Sequence, residues 1–414
     1  MAILPLPQPN VDMVEQPGAA QRRIGLALSG GGVRAAAFHL GVLEKLHEFG
    51  ILDNLDIVSS VSGGSIIAAK YALDGTRDFP KFFDEMKSAL GKSLELRTIS
   101  HWTFLAAVVL PFYSRTDALA ATYDRLYYHK RTLGDLPARP EFVINATNVN
   151  TGKNWKFRRE DMGDYVTGMS KKASSFPVSR AVAASSAAPP LLYPVRLRAH
   201  KYFAKPRYPV TTISLSDGGL YDNQGTFALL PSGAKAAKCT HIICSDAAFP
   251  FDKQKKCVWS FLPIAALRNV DILMSQIRNL QYRNLLYGQY AESIKTAFFA
   301  INWTLPEILL SIKRNTPSGA DPQLLGMLDT IPKDLLESLD QTDCEAELIR
   351  IREQLAKDLN IPELANTLTK REIAKVAAIG TRLRSLSNEE RTRLCQHGAS
   401  LCAMQVRAYC NDLL

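Results

Sequence analysis

The sequence is short of everything that would make a disulfide scaffold, a metal centre or a membrane span. Its seven cysteines all fall between Cys239 and Cys410, an odd and scattered set without a CxxC pair. That suits reduced thiols rather than a cross-linked framework. The seven histidines show no HxxxH spacing, so no metal site and no cofactor is expected. The P-loop pattern GxxxxGK[ST] is absent, and the one GxGxxG-like frame fails at Ala35, which argues against phosphate cradling. No zinc-finger spacing or RNP-like aromatic strand accompanies the net charge of +10, so nucleic acid is not an expected partner. The opening residues lack a basic start followed by an apolar run, and a cytoplasmic location is the expectation. The longest apolar stretch, Trp102 to Phe112, is far below the roughly 18–20 residues that span a bilayer. It reads as a lid or interfacial segment, with a buried core helix as the alternative.

What is present is an ordinary globular composition, 46% hydrophobic and 22% charged, enough to bury a sizeable core. Residues 1–21, rich in proline, read as an extended lead-in. From residue 22 to 250, strands and helices alternate. Arg23 to Ser29 and Leu55 to Val61 are apolar runs of strand length, as are Glu141 to Asn145 and His241 to Ser245. Val33 to Phe49 carries apolar residues at helical spacing and stops at Gly50, and Ser65 to Leu73 reads as a second helix. This order argues for an α/β fold with a parallel or mixed sheet covered on both faces. Residues 251–414 read as a mainly helical C-terminal region packed on or extending the first part. Leu348, Ile351, Leu355 and Leu359 fall at helical steps, with breaks near Pro306, Pro317, Pro332 and Pro362.

Three motifs carry chemistry. Gly30-Gly31-Gly32-Val33-Arg34 follows a strand and opens a helix. Its glycines turn the backbone tightly and leave amide N–H groups unobstructed at a helix N-terminus, where negative charge is favoured. An oxyanion hole needs that arrangement, and a purely structural turn is the alternative. Ser60-Val61-Ser62-Gly63-Gly64 places Ser62 between a strand and a helix, as in a nucleophile elbow, with Ser60 where GxSxG has its first glycine. An N-capping serine is the plain alternative. Asp217-Gly218-Gly219 brings a carboxylate on a loop that can pass close to the elbow, or else is a simple turn.

These motifs, in this order, resemble the patatin-like phospholipase family over roughly residues 22–250. Asn145 to Gly152 and Ala183 to Pro189 are similar to further stretches of that family. The resemblance implies a three-layer α/β/α fold and a metal-independent serine lipid acyl hydrolase of the phospholipase A or lysophospholipase type. Ser62 would be the nucleophile, Asp217 the base, and the loop Gly30 to Arg34 the oxyanion hole, with Arg34 bracing it. Ser60, Gly63, Gly64, Gly218 and Gly219 would support the elbow and loop. Ala35 and Ser60 depart from the family's usual glycines.

Two other readings stay open. A triad-type α/β-hydrolase would order Ser62, Asp217 and His241, but His241 begins a strand. A non-catalytic lipid-sensing module would keep the fold alone. Whichever holds, a phospholipid or other lipid ester is the expected partner, with peripheral membrane contact. The basic excess between Arg139 and Arg207, 13 Lys and Arg against 4 Asp and Glu, could face an anionic surface through Lys153, Lys156, Arg158, Arg159, Lys171 and Lys172.

Overall fold

The computed structural model describes residues 22–92, 114–189, 192–230, 239–248, 251, 262–288, 293–314, 322–329, 331, 345–359, 361–380 and 384–414. The lead-in 1–21 and the stretch Trp102 to Phe112 lie outside the described residues.

Ten strands make one sheet: β1 (Ile24–Leu28), β2 (Leu55–Val61), β3 (Glu141–Asn148), β4 (Lys153–Phe157), β5 (Met162–Asp164), β6 (Gly168–Ser170), β7 (Val195–Arg198), β8 (Thr212–Asp217), β9 (His241–Asp246) and β10 (Lys295–Ala300). The order is β10-β9-β1-β2-β3-β4-β5-β6, parallel as far as β3 and antiparallel beyond it. Around the sheet lie α1 (Gly32–Glu48), α2 (Gly63–Lys70), α3 (Phe79–Ala89), α4 (Arg115–Tyr123) and α5 (Val178–Ser185). The later helices are α6 (Leu262–Tyr287), α7 (Leu305–Arg314), α8 (Pro322–Asp329), α9 (Glu345–Asp358), α10 (Lys370–Ala377) and α11 (Asn388–Tyr409).

The apolar strand runs are continuous because both faces of the sheet are covered. Successive side chains point to opposite faces. Leu26, Val58, Ile144 and Ile243 enter one core, while their neighbours Ala27, Ile57, Val143 and Ile242 enter another. Helices α1, α2 and α5 pack on the first core, and Leu285 of α6 joins the second. The result is the three-layer α/β/α arrangement with a helical C-terminal part.

One column of the sheet places the functional elements. β2 pairs with β3 only up to Val61, opposite Asn145. There β2 leaves the sheet at Ser62, and β8 takes its place antiparallel beside β3, with Asp217 opposite Ala146. Two strands thus end head to head in one column, which brings Ser62, the residue after β2, towards Asp217, the last of β8.

The helix Val33 to Phe49 of the sequence is α1, closed by a Schellman turn. Gly50 has φ 68° and its N–H bonds His47 O at 2.9 Å, while Ile51 N–H bonds Leu46 O at 2.9 Å. The mainly helical reading of the chain beyond residue 251 needs one correction: Lys295–Ala300 is a strand, paired in parallel with β9. Six residues with a buried apolar end carry too little periodicity to separate strand from helix. Pro306 does not break a helix but sits at the second position of α7, where its missing N–H costs nothing. Pro362 opens a 3-10 turn at Pro362–Asn366.

Helix α11 lies across α1 with the two backbones in contact. A Cβ on Gly41 would run into the Cys395 carbonyl, and one on Gly398 into the Phe38 carbonyl. Cys395 Sγ donates to Ala37 O at 3.2 Å across the same crossing. Gly41→Ala gains about 1 kcal/mol of helix propensity, yet the backbone clash should leave the variant about 2 kcal/mol less stable. Gly326→Ala in α8, with open space at its Cβ, should be slightly stabilising. Urea unfolding of both checks this; equal midpoints would mean that the α1–α11 crossing can open freely.

Candidate active site

After β1, Ser29 is fixed from several sides. Its N–H donates to Ser245 O (3.1 Å), its Oγ accepts from Ala247 N (2.7 Å), and its carbonyl accepts from Gly64 N (3.1 Å). His39 Nε2 lies 3.0 Å from the same carbonyl, and its Nδ1 2.8 Å from Ser245 Oγ. Burial pushes the His39 pKa down to about 4, so this imidazole is neutral and structural. From that anchor the chain passes Gly31 at φ 144° and Gly32 at φ 64°, conformations that side chains resist. Gly31, Gly32 and Val33 then lead into α1, whose first amides have no intrahelical acceptor.

Two members of the expected oxyanion set need correction. Gly30 donates its N–H to Asn223 O at 3.0 Å. Its part is steric, since a Cβ there would strike Asn223 Oδ1 and approach Ser62 Cβ. The Arg34 side chain is fully buried and turns away from the loop's mouth. Its guanidinium donates to the carbonyls of Ala247 (2.9 Å), Ala377 (2.9 Å) and Ile379 (2.7 Å). Burial lowers its pKa to about 10, against the pull of Asp246, which leaves it charged at neutral pH.

Ser62 has φ 49° and ψ −116°. A non-glycine residue there is strained, and persists only where its surroundings fix it. The fixing contacts are specific. Ser62 N–H donates to Ser185 Oγ at 2.8 Å, and Ser185 Oγ donates to Asn145 O at 2.6 Å. Ser65 Oγ lies 3.0 Å from Ser185 Oγ and donates to Ser60 Oγ at 3.1 Å. Ser60 therefore fills the usual glycine position as a bonded partner. Gly63 packs on the Gly32 backbone, and Gly64 on the Leu28 and Ser29 carbonyls. Any Cβ at these two glycines would separate elbow from loop.

Asp217 is buried at the end of β8. Its N–H donates to Ala187 O (3.0 Å) and its carbonyl accepts from Thr147 Oγ1 (2.8 Å). The carboxylate accepts from Gly219 N–H (2.7 Å), and the Ser62 hydroxyl lies near enough to favour its ionised form. Burial pushes its pKa up to about 6, opposed by those two groups. Gly218 passes close to the Asn145 carbonyl, where a Cβ would come within 2.6 Å. The methyl of Met274 on α6 stands against Gly219, at the rim of the site.

His241 does not join these residues, which overturns the triad alternative. It faces Ile24 and Lys295 at the starting ends of β1 and β10. The site lies past the other ends, so four residues of strand, about 13 Å, intervene. Its Nε2 is bonded to Asp412 Oδ2 at 3.0 Å, and burial holds its pKa below the ordinary value.

The sequence reading missed Ser185, Asn145 and Asn223 as individual residues. Asn145 Nδ2 donates to Ser59 Oγ (2.9 Å) and Ser60 O (3.0 Å), tying β3 to the elbow strand. The signal for Ser185 was a polar residue inside a run of alanines, which reads equally as a plain small-residue helix.

With the geometry in place, comparison with known proteins gives a family. A model of the patatin-like phospholipase family matches residues 26–230. Lysophospholipase nte1 of Aspergillus fumigatus is 32% identical over 152 residues, covering 34% of this chain and 9% of the relative. Lysophospholipase NTE1 of Cryptococcus neoformans is 29% identical over 154 residues, covering 34% and 8%. The chain thus spans only about a tenth of the length of these relatives. Among solved structures, human GIVD cytosolic phospholipase A2 aligns with 95% of this chain and 59% of its own, at 13% identity and a TM-score of 0.47. Residues 26–230, which hold the glycine loop, the elbow and the Asp217 loop, are therefore the part of the chain that matches the patatin-like phospholipase family.

Proposed function

We propose that the chain is a lipid acyl hydrolase of the phospholipase A or lysophospholipase type, working through Ser62 and Asp217. The observation that carries this reading is a serine held at φ 49° with a buried carboxylate of raised pKa close beside its hydroxyl. A carboxylate in water is too weak a base for a serine hydroxyl. Burial removes part of that deficit.

Ser62 Oγ attacks the ester carbonyl while its proton passes to Asp217. The oxygen that gains charge meets the first amides of α1, at Gly31, Gly32 and Val33, in the positive end of the helix dipole. Collapse breaks the ester bond, and the leaving alkoxide takes the proton from Asp217. Water then attacks the acyl-serine, gives its proton to Asp217, and releases the fatty acid as Ser62 recovers its own. Neither imidazole nor metal takes part in these steps.

Membrane contact belongs to the same proposal. Within the basic stretch, Arg158 pairs with Glu141 (2.7 Å) and Asp161 (3.0 Å), and Lys171 with Asp161 (3.1 Å). Local ion pairs therefore offset part of its charge. No described helix is long and apolar enough to cross a membrane.

Ser62→Ala should abolish hydrolysis of a soluble short-chain ester and leave the unfolding midpoint nearly unchanged. A fluorophosphonate probe should label the native chain at Ser62 alone, and His241→Ala should retain activity. Full activity in Ser62→Ala would sink the assignment; loss of about a thousandfold in folded His241→Ala would restore a triad.

The native rate should fall about tenfold per pH unit below pH 6 and level off above it, because Asp217 must be ionised to accept the proton. A midpoint near 4 would mean a solvated carboxylate instead.

The same raised pKa sets a stability effect. An aspartate that protonates more readily folded than unfolded weakens the fold as pH rises from 3.8 to about 6, and the loss is complete above that. Asp217→Asn should therefore be inactive yet stabilised by roughly 3 kcal/mol at pH 8, a gain that vanishes below pH 4. Thermal melts across pH test this; a pH-independent difference would place the cause elsewhere.

A further inference from the structure

Helix α6 carries polar contacts inward and an apolar stripe outward, beside its ordinary core and solvent residues. A surface helix ordinarily turns apolar residues to the body and polar ones to water. On α6 the inward face carries Arg278, whose Nε pairs with the buried Asp246 at 3.3 Å, and Gln281, whose Nε2 donates to Tyr221 O at 3.1 Å. The outward face carries Leu273, Leu280 and Tyr287, which are 62%, 62% and 65% exposed. Steps of seven residues set these three on one stripe, about 21 Å from end to end. Scattered exposed leucines need no explanation, whereas a row of them marks a contact surface.

The position and charge of the helix select the occupant. Its inner side brings Met274 against Gly219, so its outer stripe lies about one helix diameter, roughly 10 Å, from the Asp217 loop. With Arg278 turned inward and paired to Asp246, Leu262–Tyr287 still carries Arg268 and Arg283 against the single Asp271, a net of one positive charge. A short apolar stripe on a net-positive helix, with a tyrosine at one end, matches a segment that settles into the headgroup region of an anionic bilayer.

We propose that the outer face of α6 is the surface by which this chain seats on an anionic phospholipid bilayer, holding the mouth of the Ser62 site against the lipid. This rests on the lipid hydrolase reading of that site. A lipid drawn from the bilayer would travel the thickness of one helix to reach Ser62.

The test measures binding in a Ser62→Ala background, so that no substrate is consumed. The probe is vesicles of phosphatidylcholine with phosphatidylglycerol, followed by sedimentation. Combining Leu273→Gln, Leu280→Gln and Tyr287→Gln should cut vesicle binding by about tenfold or more. With Ser62 restored, the same triple variant should hydrolyse a soluble short-chain ester at the native rate. A separate Leu280→Trp variant should gain emission that brominated lipid quenches. Undiminished vesicle binding by the triple variant, or no quenching of the tryptophan, overturns the proposal. So does a native dimer that the triple variant splits, since the stripe would then join two copies of the chain. If the native chain hydrolyses no ester and yet loses vesicle binding in the triple variant, the hydrolase reading falls and the lipid-facing surface stands.

Discussion

The amide of Ser62 donates to Ser185 Oγ, and much of the site follows from that bond. It ties a strained turn to α5, and through Ser185 to the Asn145 carbonyl on β3. Without such a tether, a serine at φ 49° would relax toward the β region, worth about 1–3 kcal/mol. The tether works because β3 pairs with β2 on its first half and with β8 on its second. One strand thus sets the register of both Ser62 and Asp217. The small residues around the turn keep helix, strand and loop close enough for single hydrogen bonds to bridge them.

Electrostatics and packing act together at Asp217. The burial that raises its pKa also keeps bulk water from the carboxylate, and Gly219 N–H steadies it at 2.7 Å. Arg34 and Asp246 lie on the far side of the glycine loop. There a buried cation among carbonyls ties the start of α1 to the residues after β9 and to the end of α10.

Much of the architecture was legible in the sequence because its signals are local. A strand ending in three glycines, a second ending in Ser-Gly-Gly, and a helix stopped by Gly50 each declare themselves within a few residues. What stayed hidden depends on tertiary placement. The strand Lys295–Ala300 gains its identity from β9, more than forty residues away in the chain. His241 satisfied the order of a triad, but chain order does not say which end of a sheet a residue occupies. Arg34 was legible as a loop residue, while its acceptors at Ala377 and Ile379 could not be guessed from a motif at residue 30. Ser185 looked like one more small residue, because a helix of alanines and serines looks the same whether or not one hydroxyl is in use.

The Arg34 contacts also bear on where this protein can be divided. The family match ends at residue 230. Yet two of the three carbonyls that receive the Arg34 guanidinium come from the C-terminal end of α10 and beyond. β9 and β10 complete the sheet edge, and α11 supplies the backbone on which α1 rests. A fragment cut at the family boundary would carry every motif of the site and still lack what encloses it. It would leave a buried cation without acceptors and one side of β1 without a neighbour. Recombinant dissection, gene fusion and domain grafting should therefore treat the family-matched block and the helical remainder as one folding unit.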